Sequence, residues 1–303
     1  MNRQRFYDAL VASMPRAQWL WNEPMSRRTT FRVGGPADLM LVAQGEEEIA
    51  NACAACQREG VECFVMGNGS NLLVLDGGIP GVTVLVGQGM REITRAGNVL
   101  TAQAGASLTA VAQAAQRAGL AGLAFAAQIP GTLGGGTVMN AGAYGGELKD
   151  VITSVRLLEE GSIRDMPAGR MDFSYRHSRV RAKGGVVLSV RLELPPGDPE
   201  AIRADMEEYG RRRREKQPLE YPSAGSTFKR PQGYFAGALV EQAGLRGFRI
   251  GGAQVSEKHC GFIINRGDAT AGDIRALMAE VARRVYEHSG VTLEPEVCVV
   301  GRE

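Results

Sequence analysis

The sequence has no long apolar run, almost no excess of one charge, and very little histidine. Nowhere in its 303 residues do 18 apolar residues follow one another, so no membrane partner or membrane span is expected. The opening stretch MNRQRFYDALVASMPRAQWLW carries charges throughout and lacks the apolar centre of a signal peptide. Lysine plus arginine number 35 and aspartate plus glutamate 33, a formal charge of +2. That balance is too small to point to a nucleic-acid partner. The one dense basic run, Arg211–Arg214, lies in EEYGRRRREKQP and reads as the solvated face of a helix. Five cysteines, an odd number, stand at 53, 56, 63, 260 and 298. Cys53 and Cys56 form a C-x-x-C inside the alanine-rich stretch NACAACQREG, with no second pair at zinc-finger spacing. They read as small buried helix residues, so no metal is expected, and the pattern suits a reducing cytoplasm.

Nucleotide-binding signatures are missing as well. No G-x-x-x-x-G-K-[ST] occurs, which disfavours a P-loop nucleotidase. VMGNGSNLLV (65–74) is not a Rossmann fingerprint, because Leu72 occupies the third glycine position. Glycine itself is abundant, with 40 residues and no period. Collagen is thereby excluded, and many tight turns and close backbone approaches are implied. At 44% apolar and 22% charged the chain has the composition of an ordinary globular protein.

The pattern of elements is α+β. Residues 1–20 read as helix, with Phe6, Leu10 and Met14 at four-residue spacing. Strands are expected at 37–43, 62–67, 82–87, 98–105, in TSVRLLEE, at 186–195 and at 292–301. Helices are expected from EEEIANACAACQREG to Gly60, at 107–119 with Ser107 as N-cap, from Ala201 to Lys216, at 235–245, and at 268–290 with a Thr270–Asp273 capping box. The stretch 121–148 is too glycine-dense for regular structure, and PPGDPEA (195–201) reads as a linker with a boundary near residue 200.

Five stretches carry chemistry. The turn GNGSN can point successive N–H groups into a concavity that suits a phosphate, and it can equally be a plain β-turn. The glycine-dense IPGTLGGGTVMNAGAYGG (129–146) suits a flat ligand or diphosphate lying against backbone. In DFSYRHSR, Arg176 suits a carboxylate or enolate charge; a surface loop with an ion pair is the other reading. In YPSAGSTFKRP, Ser226 lacks the G-x-S-x-G context of a nucleophile and a plausible histidine partner, since His288 ends a helix. A serine can instead give a proton to a substrate carbon where a neighbouring group raises its donor strength, and Lys229 lies three residues away. In LEPEV, strand periodicity would put Glu294 and Glu296 on one face, although Pro295 blurs it and exposed strand-end charges are the simpler reading.

At these residues the chain closely resembles the UDP-N-acetylenolpyruvoylglucosamine reductase family. The matching segments are TTFRVGGPAD, GNGSNLLV, IPGTLGGG, MNAGAYG, SYRHS, KQP, SAGSTFK, AGALVEQAGLRG, GGAQVSEKHCGFIIN and LEPEV, in that order from about residue 29 to the end. The resemblance implies an N-terminal segment (1–28), a vanillyl-alcohol-oxidase (PCMH) type FAD-binding domain (29–197, lobes 29–80 and 81–197), a substrate domain (201–291), and a terminal strand (292–303) returning to the FAD-binding region. It implies non-covalent FAD, NADPH as co-substrate, and reduction of the enolpyruvyl ether of UDP-N-acetylglucosamine to UDP-N-acetylmuramate in peptidoglycan precursor synthesis. Hydride goes to C3 and a proton to C2. The proton-donating serine falls on Ser226, the enol-stabilising arginine on Arg176 and its partner glutamate on Glu296. Flavin contacts fall on Gly67, Asn68, Gly69, Ser70 and Asn71, and on Gly131, Thr132, Gly134, Gly135, Asn140, Gly142 and Ala143. Substrate contacts fall on Tyr175, Lys216, Lys229, Arg230 and Gln254. A cytoplasmic monomer is expected.

Two departures matter. Arg230 stands where one branch of the family has asparagine, and only about ten residues separate Arg176 from the next strand, so the branch lacking an inserted tyrosine loop is the better match. Gln128 stands where glycine is commoner. Two other readings compete: an oxidase of the same fold, and a non-catalytic nucleotide-binding module. Many oxidases of that fold tether flavin through histidine or cysteine; no histidine precedes residue 177, and the three early cysteines sit in or beside one helix.

Overall fold

Strands and helices alternate along the chain in the computed structural model, which describes residues 3–303. The chain forms two compact units. One comprises the residues up to Leu20, Leu39–Asn68 and Gly81–Arg213; the other comprises Trp21–Asp38, Gly69–Pro80 and Arg214–Glu303.

The first unit is built around strand pairing. Its five-stranded sheet is antiparallel, in the order Ser162–Pro167, Ile152–Glu159, Val186–Glu193, Val99–Gln103, Ile93–Ala96. The central register aligns Val155 with Val190 and Val190 with Ala102. Because side chains alternate along a strand, this register stacks all three on the buried face. In a four-stranded sheet, Cys63–Met66 pairs in parallel with Ile79–Val86, Cys63 opposite Val82. Leu39, Leu41, Ile49, Val84, Leu100, Val111, Leu133, Leu157 and Leu192 fill the core. Helix Leu108–Arg117 starts as expected, with the Ser107 hydroxyl accepting from the Ala110 N–H at 3.1 Å.

The second unit packs helices Ala236–Gln242 and Ala271–Ser289 with a three-stranded sheet, Arg249–Ile250, Ala253–Val255 and Ile263–Asn265. Ile274, Leu277, Met278, Val281 and Val285 of the long helix are buried, as their spacing requires. Its start carries the expected reciprocal Thr270–Asp273 capping box. The earlier segments are built into this unit: Phe31, Val33 and Leu73 lie in its core, and the Asp76 carboxylate accepts from the N–H groups of Ala271 and Gly272 at 3.0 and 2.9 Å. An anion there also complements the positive end of the helix dipole.

Three expectations need correction. The N-terminal helix is Arg3–Ser13, and strand Gln18–Pro24 follows it. Pro15 cannot continue a helix, and the aromatic QWLW favours a strand. The C-terminal strand is only Cys298–Val300, paired in parallel with Leu72–Val74; Pro295 keeps LEPEV out of it. The stretch 121–148 does contain regular structure: helix Leu133–Val138 and a hairpin of Gly142–Ala143 with Gly146–Glu147. Its glycines allow close packing. A Cβ on Gly134 would lie 2.8 Å from Ala104 Cβ, and one on Gly136 3.0 Å from Leu108 Cδ1. Among the described residues, no helix is long and apolar enough to cross a membrane.

Candidate active site

In the first unit Asn140, one of the expected site residues, ties two segments together. This side chain is fully buried. Its amide nitrogen donates to Glu147 Oε2 and to the Ser174 carbonyl, both at 3.0 Å, and its oxygen accepts from the Lys149 N–H at 2.9 Å. Ser174 and His177 bond each other through both backbone pairs at 3.2 and 3.1 Å, leaving Tyr175 and Arg176 as a two-residue turn. Arg176 adopts φ +53°, a left-handed conformation that a residue with a Cβ takes only when its surroundings enforce it. Its Nη2 donates to the Gly142 carbonyl at 3.3 Å, and its guanidinium lies 5.0 Å from the centre of the Tyr175 ring.

Behind the turn the backbone is clamped by residues that the motif did not reveal. The Ser178 hydroxyl donates to the Val138 carbonyl at 2.7 Å, and the same oxygen accepts from the Arg181 N–H. Arg179 Nε donates to Glu159 Oε1 at 2.9 Å, and the Glu159 side chain is only 7% exposed. The hydrogen bond from Arg179 holds the Glu159 carboxyl below its ordinary range, against the desolvation of its site. A carboxyl lowered in the folded state stabilises above its unfolded pKa of about 4.3 and loses that contribution as pH falls through the folded value. Glu159→Gln is therefore expected to lower Tm at neutral pH and to flatten the acid limb of a Tm-against-pH curve. A variant curve parallel to wild type would contradict this.

The glycine turn supplies donors of another kind. Among the described residues, the N–H groups of Gly67, Asn68, Gly69 and Ser70 make no hydrogen bond. Gly69 sits at φ +61°, where a Cβ would also lie 2.3 Å from the Arg28 carbonyl oxygen. A Cβ on Gly67 would lie 2.3 Å from Thr132 Oγ1, so this glycine and Thr132 of the second glycine stretch touch. Thr132 caps Leu133–Val138 by accepting from the Gly135 N–H at 3.2 Å. Consecutive unspoken N–H donors are a donor set that fits phosphate oxygens, and hence the diphosphate of FAD.

In the second unit Ser226, Glu296 and Asn71 are brought together through backbone. Ser226 is exposed and follows Gly225 at φ +78°. The Thr227 N–H donates to the Gly261 carbonyl at 2.9 Å, and the Thr227 carbonyl accepts from the Glu296 N–H at 2.8 Å. Asn71 Nδ2 donates to the Glu296 carbonyl at 3.0 Å, while the Asn71 carbonyl accepts from the Cys298 N–H at 2.9 Å. Glu294 and Glu296 do not act alike, contrary to the strand-face expectation. Glu294 is exposed and its Oε2 meets Lys229 Nζ at 2.9 Å; Glu296 is half-buried. His259 Nδ1 accepts from the Gly261 N–H at 3.1 Å, so that nitrogen is not offered to a serine. Arg230 lies with its guanidinium 4.0 Å from the Phe235 ring centre and its Nε donating to the Tyr234 carbonyl at 3.3 Å. Gln254 is buried, with Nε2 donating to the Gly247 carbonyl at 3.0 Å. Lys216, exposed, ends helix Pro199–Lys216. The expected solvated character of the basic run holds for Arg211 and Arg212, whose guanidinium groups both pair with Glu208.

The fold is that of an FAD-binding protein of the vanillyl-alcohol-oxidase type. Residues 37–166 match the family model "FAD binding domain". The chain also superposes on alkyldihydroxyacetonephosphate synthase at a TM-score of 0.50 and 15% identity, covering 64% of this chain and 40% of that one, a likeness of fold alone. Residues 217–300 match "UDP-N-acetylenolpyruvoylglucosamine reductase, C-terminal domain". Proteins named UDP-N-acetylenolpyruvoylglucosamine reductase are 46% identical in Syntrophomonas wolfei, covering 98% of this chain and all of that one, and 45% identical in Clostridioides difficile over the whole of both chains. The crystal structure of the Thermus caldophilus reductase superposes at a TM-score of 0.79 with 36% identity, over 94% of this chain and 98% of that one. The chain belongs to the UDP-N-acetylenolpyruvoylglucosamine reductase family.

Proposed function

We infer that this chain reduces UDP-N-acetylenolpyruvoylglucosamine to UDP-N-acetylmuramate, with NADPH as reductant and FAD held non-covalently. The observation that carries the reading is the match to reductases along the full length of the chain, through both family models. Bound FAD supplies the hydride acceptor for NADPH and the hydride donor for C3 of the enolpyruvyl group. Gly67 to Asn71, with Gly131, Thr132, Gly134, Gly135, Gly142 and Ala143, are the residues that would hold it.

Ser226 gives the proton to C2 as hydride reaches C3. Arg176 meets the charge that develops on the carboxylate side; its value lies in being positioned before that charge appears. Fixing it in a strained two-residue turn, rather than on a mobile loop, supports that role. Glu296 is the partner carboxylate, fixed by backbone bonds beside the serine. Asn140 positions Arg176 through the Ser174 carbonyl. Lys216, Lys229, Arg230 and Gln254, with Tyr175, bind the sugar nucleotide, and the Arg230 guanidinium suits its diphosphate.

The test is direct. Purified protein is expected to be yellow, to release flavin on denaturation, and to oxidise NADPH only when UDP-N-acetylenolpyruvoylglucosamine is present. NADPH oxidation indifferent to that substrate, or flavin reduction by an alcohol with oxygen as acceptor, would replace this reading with the oxidase one.

A further inference from the structure

Three of the five thiols meet at one place in the first unit. Helix Glu46–Glu59 ends with Gly60 in the left-handed region, the Val61 N–H bonds back to the Cys56 carbonyl, and the chain turns into strand Cys63–Met66. The turn brings Cys63 against the helix face that carries Cys53 and Cys56. Cys53 Sγ and Cys63 Sγ are 3.6 Å apart. Cys53 and Cys63 are each half-buried, and Cys56 is fully buried. Among the described residues, no group of three or more histidine, cysteine, aspartate or glutamate side chains has an arrangement that could hold a metal ion.

We propose that Cys53 and Cys63 are an oxidant-reactive dithiol that closes reversibly to a disulfide, with peroxides and low-molecular-weight disulfides as the class of oxidant. The two sulfurs need to approach by about 1.5 Å to reach the bonded distance of roughly 2.05 Å, a movement within reach of side-chain rotation. With peroxide, one thiol of the pair is oxidised to a sulfenic acid and one water leaves; the other thiol then attacks that sulfur, the S–S bond forms, and the hydroxyl leaves as a second water. Two thiols lose two electrons and two protons, and one peroxide becomes two waters. With a low-molecular-weight disulfide, the same two electrons and protons yield two small thiols. Cys56 assists from the buried side. A hydrogen bond from Cys63 holds the Cys56 thiol below its ordinary range, against desolvation, whereas the hydrogen bond to Cys63 pushes the Cys53 thiol up, and Cys63 is itself pushed up to about 12. The pair thus stays protonated at neutral pH until Cys56 takes the Cys63 proton, and its closure rests on the 3.6 Å approach of the two sulfurs. None of the three belongs to the residues assigned above to the reaction.

The experiment uses the full chain with its flavin. Protein is exposed to oxidised glutathione or to hydrogen peroxide, alkylated, digested with trypsin and mapped by fragmentation mass spectrometry. Cleavage after Arg58 places Cys53 and Cys63 on different peptides. The expected result is a linked pair, lighter by two hydrogen atoms and joined at Cys53 rather than Cys56, with two of the five thiols lost to alkylation and regained with dithiothreitol. Cys53→Ser abolishes the link, and Cys298→Ser does not. Five alkylatable thiols after oxidant treatment, a link at Cys56, or irreversible oxidation of Cys53 would each overturn the proposal. The wild-type map stands by itself if a variant folds poorly.

Discussion

Ser226→Ala is expected to slow reoxidation of the flavin by the enolpyruvyl substrate by about 10²–10⁴-fold, the usual worth of a positioned proton donor. Reduction of the flavin by NADPH should be nearly unaffected. The asymmetry follows from what holds the serine. Its place is set by backbone: Gly225 at φ +78° before it, and Thr227 after it bonded to Gly261 and Glu296. The hydroxyl is exposed and makes no part of that frame, so alanine removes a proton without moving the chain. Stopped-flow absorbance of the flavin separates the two half-reactions. An equal loss in both, or none in either, would remove Ser226 from the proton-donor role while leaving the overall reaction in place.

Asn140→Leu is expected to act through the fold and the chemistry together. It leaves the Lys149 N–H, the Ser174 carbonyl and one bond of Glu147 without the partner that the buried Asn140 gives them, at part-buried positions. Each such group costs about 1–3 kcal/mol when unsatisfied; allowing for some relaxation, the loss is about 3 kcal/mol. For a unit of this size that is a Tm lower by about 6–12 °C. Asparagine also tolerates φ +42° better than leucine. In the surviving folded enzyme the substrate half-reaction should fall more than flavin reduction, because the Tyr175–Arg176 turn loses its anchor. An unchanged Tm would mean that the three bonds are replaced by water, and an unchanged rate would mean that Arg176 does not depend on them.

The local signals in the sequence were the dependable ones. Ser107 and Thr270 cap their helices as read, because a cap is decided by residues within one turn of each other. The apolar stripe of Ala271–Ser289 was legible for the same reason. What escaped was non-local. No pattern near residue 72 announces that its partner strand lies at residue 298; that the terminal strand returns to this region was implied by the family resemblance alone. Nor does C-x-x-C spacing tell that a third cysteine, ten residues on, closes against the first. In the site, glycine density in 129–146 suggests ligand contact, and it does not tell that Gly134 and Gly136 also pack closely against protein atoms. Asn140 was legible as important and not as a hub, since its partners, Glu147, Lys149 and Ser174, come from two loops. The roles of Ser226, Arg176 and Glu296 came from the ordered family match; spacing alone left them open.

The interleaved order of the two units bears on how the chain is made. Phe31 and Val33 belong to a core whose other members include Leu245, Ile274 and Leu293. On a ribosome adding about 5–20 residues each second, the segment ending at Asp38 waits roughly 13–50 s for the chain to reach Glu303. Over that interval its apolar side chains have no finished core to enter. No single cut yields an autonomous piece either: residues 214–303 by themselves lack Phe31, Val33 and Leu73. Nascent chains halted before residue 290 should therefore be sensitive to protease within Trp21–Asp38, and full-length chains resistant there.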